Sequence, residues 1–330
     1  MDATRSTAPA TRALGEEWHH MFEAHQDVDG RRSHYAEFYG LADLPAGGYG
    51  IIAGNCQAES LRIFLDGGGM PWVRMPAIHE LDSSDIPHLN QLLAHASVLV
   101  SQPIRDNYRG LPIGTRNLVD QLRPGTPTVI MPVIRFAGLY PTHVIIRPPA
   151  DPSLSPPLVA YHDLRTLTEA ADRLHGYTTQ LREITPEFAR EVGARSLEEL
   201  RTREAQHRSV VVSDLFEQPT FAQMRTINHP GNPVWTALAA RVRSAIGEDP
   251  RVIDPGREIL NNVHAPRLAV VAEAYGLPMP SAPGWVVDGV DVPDDAVREA
   301  HLRWYSDNPD VIDAGIARHR ATLDLLGFAR

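Results

Sequence analysis

One stretch constrains the chain more than any other. The apolar run Ile51-Ile52-Ala53 stops at Gly54-Asn55, and a helix-like pattern begins at once with Cys56-Gln57-Ala58-Glu59-Ser60-Leu61. Leu61, Phe64 and Leu65 fall at i, i+3 and i+4, and Gly67-Gly68-Gly69 closes the pattern. The spacing predicts a strand, a tight turn and a helix, with the chain's one cysteine on the turn. A helix start carries unpaired N–H groups and a positive dipole end, which favour a thiolate or an anionic ligand. Taken alone, Cys56 reads as readily as an inert buried thiol.

Further strand and helix patterns follow in alternation. Val73 begins a short strand, Asp85 to Ala94 a helix, and Ser97 to Gln102 a buried strand ending at Pro103. Gly114-Thr115 precedes a short helix over 116–122, with Thr115 as N-cap. Thr128 to Met131 is a third strong strand and His143 to Ile146 a fourth. Alternation of this kind predicts an α/β fold, with a mainly parallel sheet, flanking helices and a helical C-terminal part. Ligands of such sheets sit beyond the carboxyl ends of the strands, so the segments after Ile52, Val100 and Met131 share one rim.

The chain divides into an N-terminal helical extension (1–48), the α/β core (49–147), a Pro-rich connector with a helical region (148–249) and a C-terminal helical extension (250–330). Residues 1–12 read as disordered, and 13–40 as an amphipathic helix broken around Asp27 to Gly30. Leu164, Leu167, Ala171 and Leu174 are spaced for one helix face, and Ser196 to Glu199 fits a capping box. Residues 209–214 read as a strand or a helix end, and Asn232-Pro233 as the start of a helix through Ile246.

Composition excludes chemistry. All 31 basic residues are arginine, so a Schiff-base, P-loop or kinase lysine is missing. No recognisable metal motif occurs, and a single cysteine suits a reducing, cytoplasmic setting. A net charge of −10 argues against general nucleic-acid binding, and no apolar stretch is long enough to span a bilayer. Self-association stays open.

Two further segments carry candidate chemistry. Ser101 to Thr115 holds Arg105, Tyr108, Arg109 and Gly110 directly after a buried strand. Arginine forks and exposed N–H groups suit phosphate, and Tyr108 suits stacking; the plain alternative is a solvated loop paired through Asp106. Asn228-His229-Pro230-Gly231-Asn232 holds an imidazole near a helix start, as a general base requires, or as a loop hydrogen-bonder. His143 and His162 have neighbours that define no site.

Together these motifs resemble the WcbI-like family of bacterial polysaccharide-biosynthesis proteins. The resemblance rests on Gly54-Asn55-Cys56-Gln57, Gln102-Pro103 with Tyr108-Arg109-Gly110 and Gly114-Thr115, Phe136 to Pro141, and His229 to Asn232, over roughly residues 49–247. It implies coenzyme A binding and acyl transfer to a hydroxyl of a sugar or glycosylated small molecule, in polysaccharide or secondary-metabolite biosynthesis. Carried onto this chain, Cys56, His229 and Asn55 are the catalytic candidates. Gln57, Ser101, Arg105, Tyr108, Arg109, Gly110 and Thr115 are the candidates for holding acyl-CoA, with no metal. In one departure, Tyr140 stands before Pro141 where the family pattern leads us to expect a histidine, and His143 is the nearest substitute. An SGNH-like esterase with cysteine in the serine's place, and a non-catalytic CoA-binding partner protein, are the competing readings.

Overall fold

The computed structural model describes residues 28–148, 151, 153–278 and 282–328. The readings for residues 1–27 lie outside the described residues. Of the predicted break around Asp27 to Gly30, Asp27 lies outside the described residues; helix α1 (Val28–His34) is unbroken from Val28 and ends at His34 instead of reaching residue 40.

The core is a parallel sheet of β1 (Gly50–Ala53), β2 (Trp72–Val73), β3 (Val98–Ser101) and β4 (Thr128–Ile130), in the order β2-β1-β3-β4. Gly50 pairs with both Trp72 and Val98, and Ser101 with Ala53 and Ile130. The central strands are apolar on both faces because both faces are covered. Ile52 and Val100 meet Leu61 and Phe64 of α2 (Cys56–Leu65) and Val234, Leu238 and Val242 of α7 (Asn232–Ala245). Ile51 and Leu99 meet Leu89, Leu92 and Leu93 of α3 (Ile86–His95). Strand order reverses between β1 and β3, and at such a switch point the carboxyl ends diverge and leave a crevice.

Two polar devices hold α2 at its ends. Asn55 caps the start, and Arg243 of α7, 1% exposed, donates to the Leu65 and Gly68 carbonyls at the other end while paired with Glu248. A Cβ on Gly68 would stand 1.8 Å from that guanidinium, so the glycine admits the cap.

Several local expectations are corrected. The strand at His143–Val144 (β5) does not join the parallel sheet; it pairs antiparallel with β6 (His162–Asp163). Thr115 is not the N-cap of the short helix α4 (Thr115–Val119); Gly114 is, and the Asn117 side chain accepts from its N–H. Leu174, on α5 (Leu164–His175), is 46% exposed although Leu164, Leu167 and Ala171 are buried as expected. Ser196 starts no helix. It lies inside the 22-residue α6 (Pro186–His207), capped by Thr185, and its buried hydroxyl accepts from the Ala137 N–H. Residues 209–214 form neither strand nor helix end, since Arg208 turns left-handed (φ 49°) and a short 3-10 turn follows at Ser213–Phe216. Asn232 is the first helical residue of α7, with Gly231 at the cap.

A hairpin of β7 (Met224–Thr226) and β8 (His229–Pro230) delivers His229 to the rim. Beyond it, β9 (Val263–His264), β10 (Trp285–Val287) and β11 (Val290–Val292) form an antiparallel sheet that the sequence reading did not anticipate. α8 (Ala269–Tyr275) packs on α6. The C-terminal helices α9 (Asp294–Asp307), α10 (Pro309–Arg318) and α11 (Arg320–Leu325) build a further core with α5 and α6 around Leu167, Val192, Tyr305 and Ile312.

Candidate functional site at the rim of the parallel sheet

The site is assembled around two glutamines. Gln57, 1% exposed, uses every hydrogen-bonding position of its amide. Its Nε2 donates to the carbonyls of Ile134 (2.8 Å) and Asn228 (2.9 Å), and its Oε1 accepts from the Ile134 N–H (3.0 Å) and Gln102 Nε2 (3.1 Å). Gln102 in turn accepts from the Asn55 N–H through Oε1 (2.9 Å). Four segments are stapled by these bonds: the turn after β1, the end of β3, the loop after β4 and the β7–β8 hairpin. Gly54 is required at the turn, because a Cβ there would lie 2.6 Å from Gln102 Oε1. The three rim segments expected from topology thus do converge.

Asn55 is extended (φ −82°, ψ −161°) and its Oδ1 accepts from the Gln57 N–H at 2.9 Å, an N-cap in the usual geometry. Cys56 follows as the first helical residue and is exposed. Its thiol is nevertheless crowded by protein. Desolvation leads the causes that raise its pKa, opposed by the Gln57 and Cys56 N–H groups and reinforced by the charge of Glu80. The helix start therefore softens the penalty on the thiolate without overcoming it.

His229 is half-buried, with its ring edge on Tyr161 (centroids 5.9 Å, planes 89°). Its Nδ1 is buried and has no hydrogen-bond partner among the described residues. Desolvation first, then the positive charge of Arg225 and the neighbouring His264, push its pKa down to about 4, so the imidazole is neutral at pH 7. Among the described residues no hydrogen bond joins His229 to Cys56 or to a carboxylate, so a hydrogen-bonded Cys–His–acid triad is not formed there. Tyr161 occupies the position beside it. Its hydroxyl donates to Asn228 Oδ1 (2.8 Å) and accepts from Thr226 Oγ1 (2.9 Å), and it lies near enough to Cys56 for a thiolate there to oppose ionisation of the phenol.

The Gln102-to-Thr115 loop borders the same rim. Ser101 and Thr115 are engaged inside it. Both hydroxyls donate to the Gln102 carbonyl (2.7 and 2.8 Å), and Thr115 Oγ1 also accepts from the Ile104 N–H (2.9 Å). The Thr115 N–H, expected to help hold phosphate, donates instead to the Ile104 carbonyl at 3.0 Å. A Cβ on Gly114 would meet the Arg105 carbonyl oxygen at 2.6 Å, so the loop closes only over glycine. Asn107 (φ 51°), Arg109 (φ 55°) and Gly110 (φ 78°) all stand left-handed, an expensive conformation for the first two at about 1–2 kcal/mol per residue. Arg105 lies 5.7 Å over the Tyr108 ring, and Asp106 pairs with Arg116 at 3.4 Å. Arg105 and Arg109 are exposed and have no carboxylate partner among the described residues. They remain able to fork onto an anion.

The departure at Tyr140 also has a structural account. Tyr140 is buried and donates to the Met224 carbonyl (2.8 Å). His143 is buried too, stacked on Trp285 (4.9 Å), with Nε2 3.7 Å from Asp163 Oδ2. Burial lowers its pKa, against the pull of Asp163. Trp285 stacks on Tyr161 in turn (5.8 Å, 18°), so His143 is held two rings away from His229. Among the functional neighbours that sequence reasoning missed, Gln102 stood inside a recognised motif without a role. Asn228 likewise headed the His229 segment without a role, and Tyr161 had no distinguishing local signal. Among the described residues no cluster of His, Cys, Asp and Glu could hold a metal ion, and no helix is long and apolar enough to cross a membrane.

A search of curated protein sequences gives no match. The solved structure of WcbI superposes with a TM-score of 0.69 at 18% identity, covering 85% of this chain and 98% of that one. It is described as a novel polysaccharide biosynthesis enzyme, in a native form without a disulfide bond between coenzyme A and one of its cysteines. At that identity the likeness establishes the α/β fold. The family model for the polysaccharide biosynthesis enzyme WcbI matches residues 49–251, which span the Cys56 turn, the arginine loop and the His229 hairpin. The chain belongs to the WcbI family of polysaccharide biosynthesis enzymes.

Proposed function

We propose that this chain is an acyl-CoA-dependent O-acyltransferase that moves an acyl group to a hydroxyl of a sugar-containing acceptor. The observation that carries the reading is the tether from Gln57 to the Asn228 carbonyl, which joins the Cys56 turn to the neutral His229 at the switch point. The coenzyme A named for the solved WcbI structure supports a CoA thioester as donor. Arg105 and Arg109, exposed and without carboxylate partners among the described residues, are the groups for its phosphates.

In this mechanism His229 takes the proton of the acceptor hydroxyl, and the freed oxygen attacks the thioester carbonyl. The Asn55 side-chain amide and the Cys56 N–H stabilise the tetrahedral oxyanion; the Gln57 N–H is already given to Asn55 Oδ1. Collapse breaks the C–S bond, and the departing CoA thiolate takes the proton from the imidazolium. The raised pKa of Cys56 and its lack of a hydrogen bond to His229 favour this direct transfer over an acyl-Cys56 intermediate. Near-normal turnover by Cys56→Ala is the expected result; a loss of more than about a thousandfold would restore the covalent route.

The donor site is tested by a thermal-shift titration with CoA, 3′-dephospho-CoA and short acyl-CoAs. A ligand at a hundred times its Kd stabilises the folded state by about 2.7 kcal/mol. A clear shift with CoA, diminished by Arg109→Ala, is expected. No shift with any thioester would overturn the reading and put the SGNH-like hydrolase first. Full pathway function after loss of both His229 and Cys56 would instead identify a non-catalytic CoA-binding partner.

A further inference from the structure

We infer that a cavity beside the rim, walled by Tyr161, Trp285, Asp163, Arg165, Glu169 and Arg298, is a subsite for a neutral or amino-bearing sugar unit. Its assignment to the acceptor rests on the acyl-transfer reading; its ligand chemistry does not. The cavity measures about 260 Å³. That is below the usual range of about 300–1,000 Å³ for drug-sized ligands, and suits a single ring better than a nucleotide.

Its lining separates it from the arginine loop. Four carboxylates (Asp163, Glu169, Asp294 and Asp295) face two guanidiniums (Arg165 and Arg298). The excess of negative charge repels phosphate and accepts hydroxyl or ammonium donors. The charges are also fixed in place. Arg165 forks onto Asp163, Arg298 forks onto both oxygens of Glu169, and Asp294 accepts from the Trp285 Nε1–H at 3.0 Å. The wall therefore offers both carboxylate acceptors and guanidinium donors, and vicinal hydroxyls both donate and accept. Tyr161 and Trp285 add nearly parallel aromatic surface, 18° apart.

Tyr161 links the cavity to the rim. It lines the cavity, yet its hydroxyl holds Asn228 Oδ1 and its ring edge meets His229. A ring seated against Tyr161 would thus be one side chain away from the proposed base. Trp285, Asp294, Asp295 and Arg298 all come from beyond the residues matched by the family model, so acceptor choice would be written in this chain's C-terminal part.

The test is saturation-transfer NMR on the full chain. The probes are methyl α-D-glucopyranoside, methyl α-D-mannopyranoside and methyl 2-amino-2-deoxy-β-D-glucopyranoside, with glucose 6-phosphate as anionic control. At least one uncharged or amino glycoside is expected to bind at millimolar concentration, about tenfold weaker or worse in Asp295→Arg and in Arg298→Ala. Asp295 is exposed, so its reversal leaves folding intact. An unchanged CoA thermal shift in both variants is the check on fold and donor site. The inference is overturned if no glycoside binds, if binding survives both substitutions, or if glucose 6-phosphate binds better than every glycoside. Loss of the CoA shift in the wild-type chain would count against the acyltransferase alone, because glycoside binding is read independently.

Discussion

The Cys56 rim and the Trp285 cavity share one residue, Tyr161, and differ in almost everything else. The rim is built from residues a few positions beyond the ends of parallel strands. Its key groups are amides, its arginines lack carboxylate partners, and its geometry follows from strand order. The cavity is built from β6, α5, β10 and α9, elements far apart in the chain, and both of its guanidiniums are already paired while two carboxylates are left over. A ligand at the rim meets unpaired cations; a ligand in the cavity meets a network with an excess of carboxylates. On the proposed reading, an anionic donor and a polyol acceptor sit side by side because the two chemistries are kept on opposite sides of a tyrosine.

Removing the aromatic wall tests that division most severely. Trp285→Ala deletes a buried indole stacked on both Tyr161 and His143, and a loss of about 3–5 kcal/mol in denaturant unfolding is expected. If the two regions are separable, CoA still produces a thermal shift in this variant under conditions where it is folded. Gln57→Leu attacks the rim instead. It leaves buried groups of Ile134, Asn228 and Gln102 without partners, for an expected cost of about 2–3 kcal/mol. Turnover should fall further than stability, because His229 loses its tether; equal losses would make Gln57 merely structural.

Acid reaches both regions, since His229 at the rim shares its depressed pKa with two histidines near the cavity. His162 and His301, both buried near the cavity, have pKa values pushed down by burial to about 3 and about 4. Each lies below the unfolded value near 6.5, so between these limits the unfolded chain binds more protons than the folded one. Stability is therefore full above pH 6.5 and declines as pH falls toward 4, by about 1.4 kcal/mol per pH unit for each such histidine. Urea midpoints measured from pH 7.5 to 4.5 check this, and His301→Gln should flatten the slope. A midpoint insensitive to pH in that window would contradict the burial of these rings.

Smaller effects sharpen the rim. Arg109→Ala should weaken CoA binding about tenfold, or 1.4 kcal/mol, in calorimetric titration. As an exposed left-handed residue its loss should change stability by under about 0.5 kcal/mol. Thr115→Val removes one donor and one acceptor inside the loop, and about 1 kcal/mol of stability with it.

Much of the rim was legible before any coordinates, and for a local reason. Strand, turn, cap and helix from Gly50 to Leu65 depend on side-chain periodicity and on one Asn–backbone hydrogen bond, all within sixteen positions. Parallel-strand topology then carried the segments after β1, β3 and β4 to a common edge. What failed locally failed through packing. Ser196 imitates a helix start, but α6 is capped upstream by Thr185 and the buried Ser196 hydroxyl is taken by the Ala137 N–H. His143 imitates a strand of the main sheet, but pairs antiparallel with Asp163 instead. Residue order alone sufficed for the parallel α/β core, the Cys56 turn and the arginine-rich loop. The bond from Gln57 to the Asn228 carbonyl, 171 positions away, and the place of Tyr161 between His229 and Trp285 came with packing. Such contacts depend on burial and charge contributed by distant segments, and no local pattern encodes which segment will supply them.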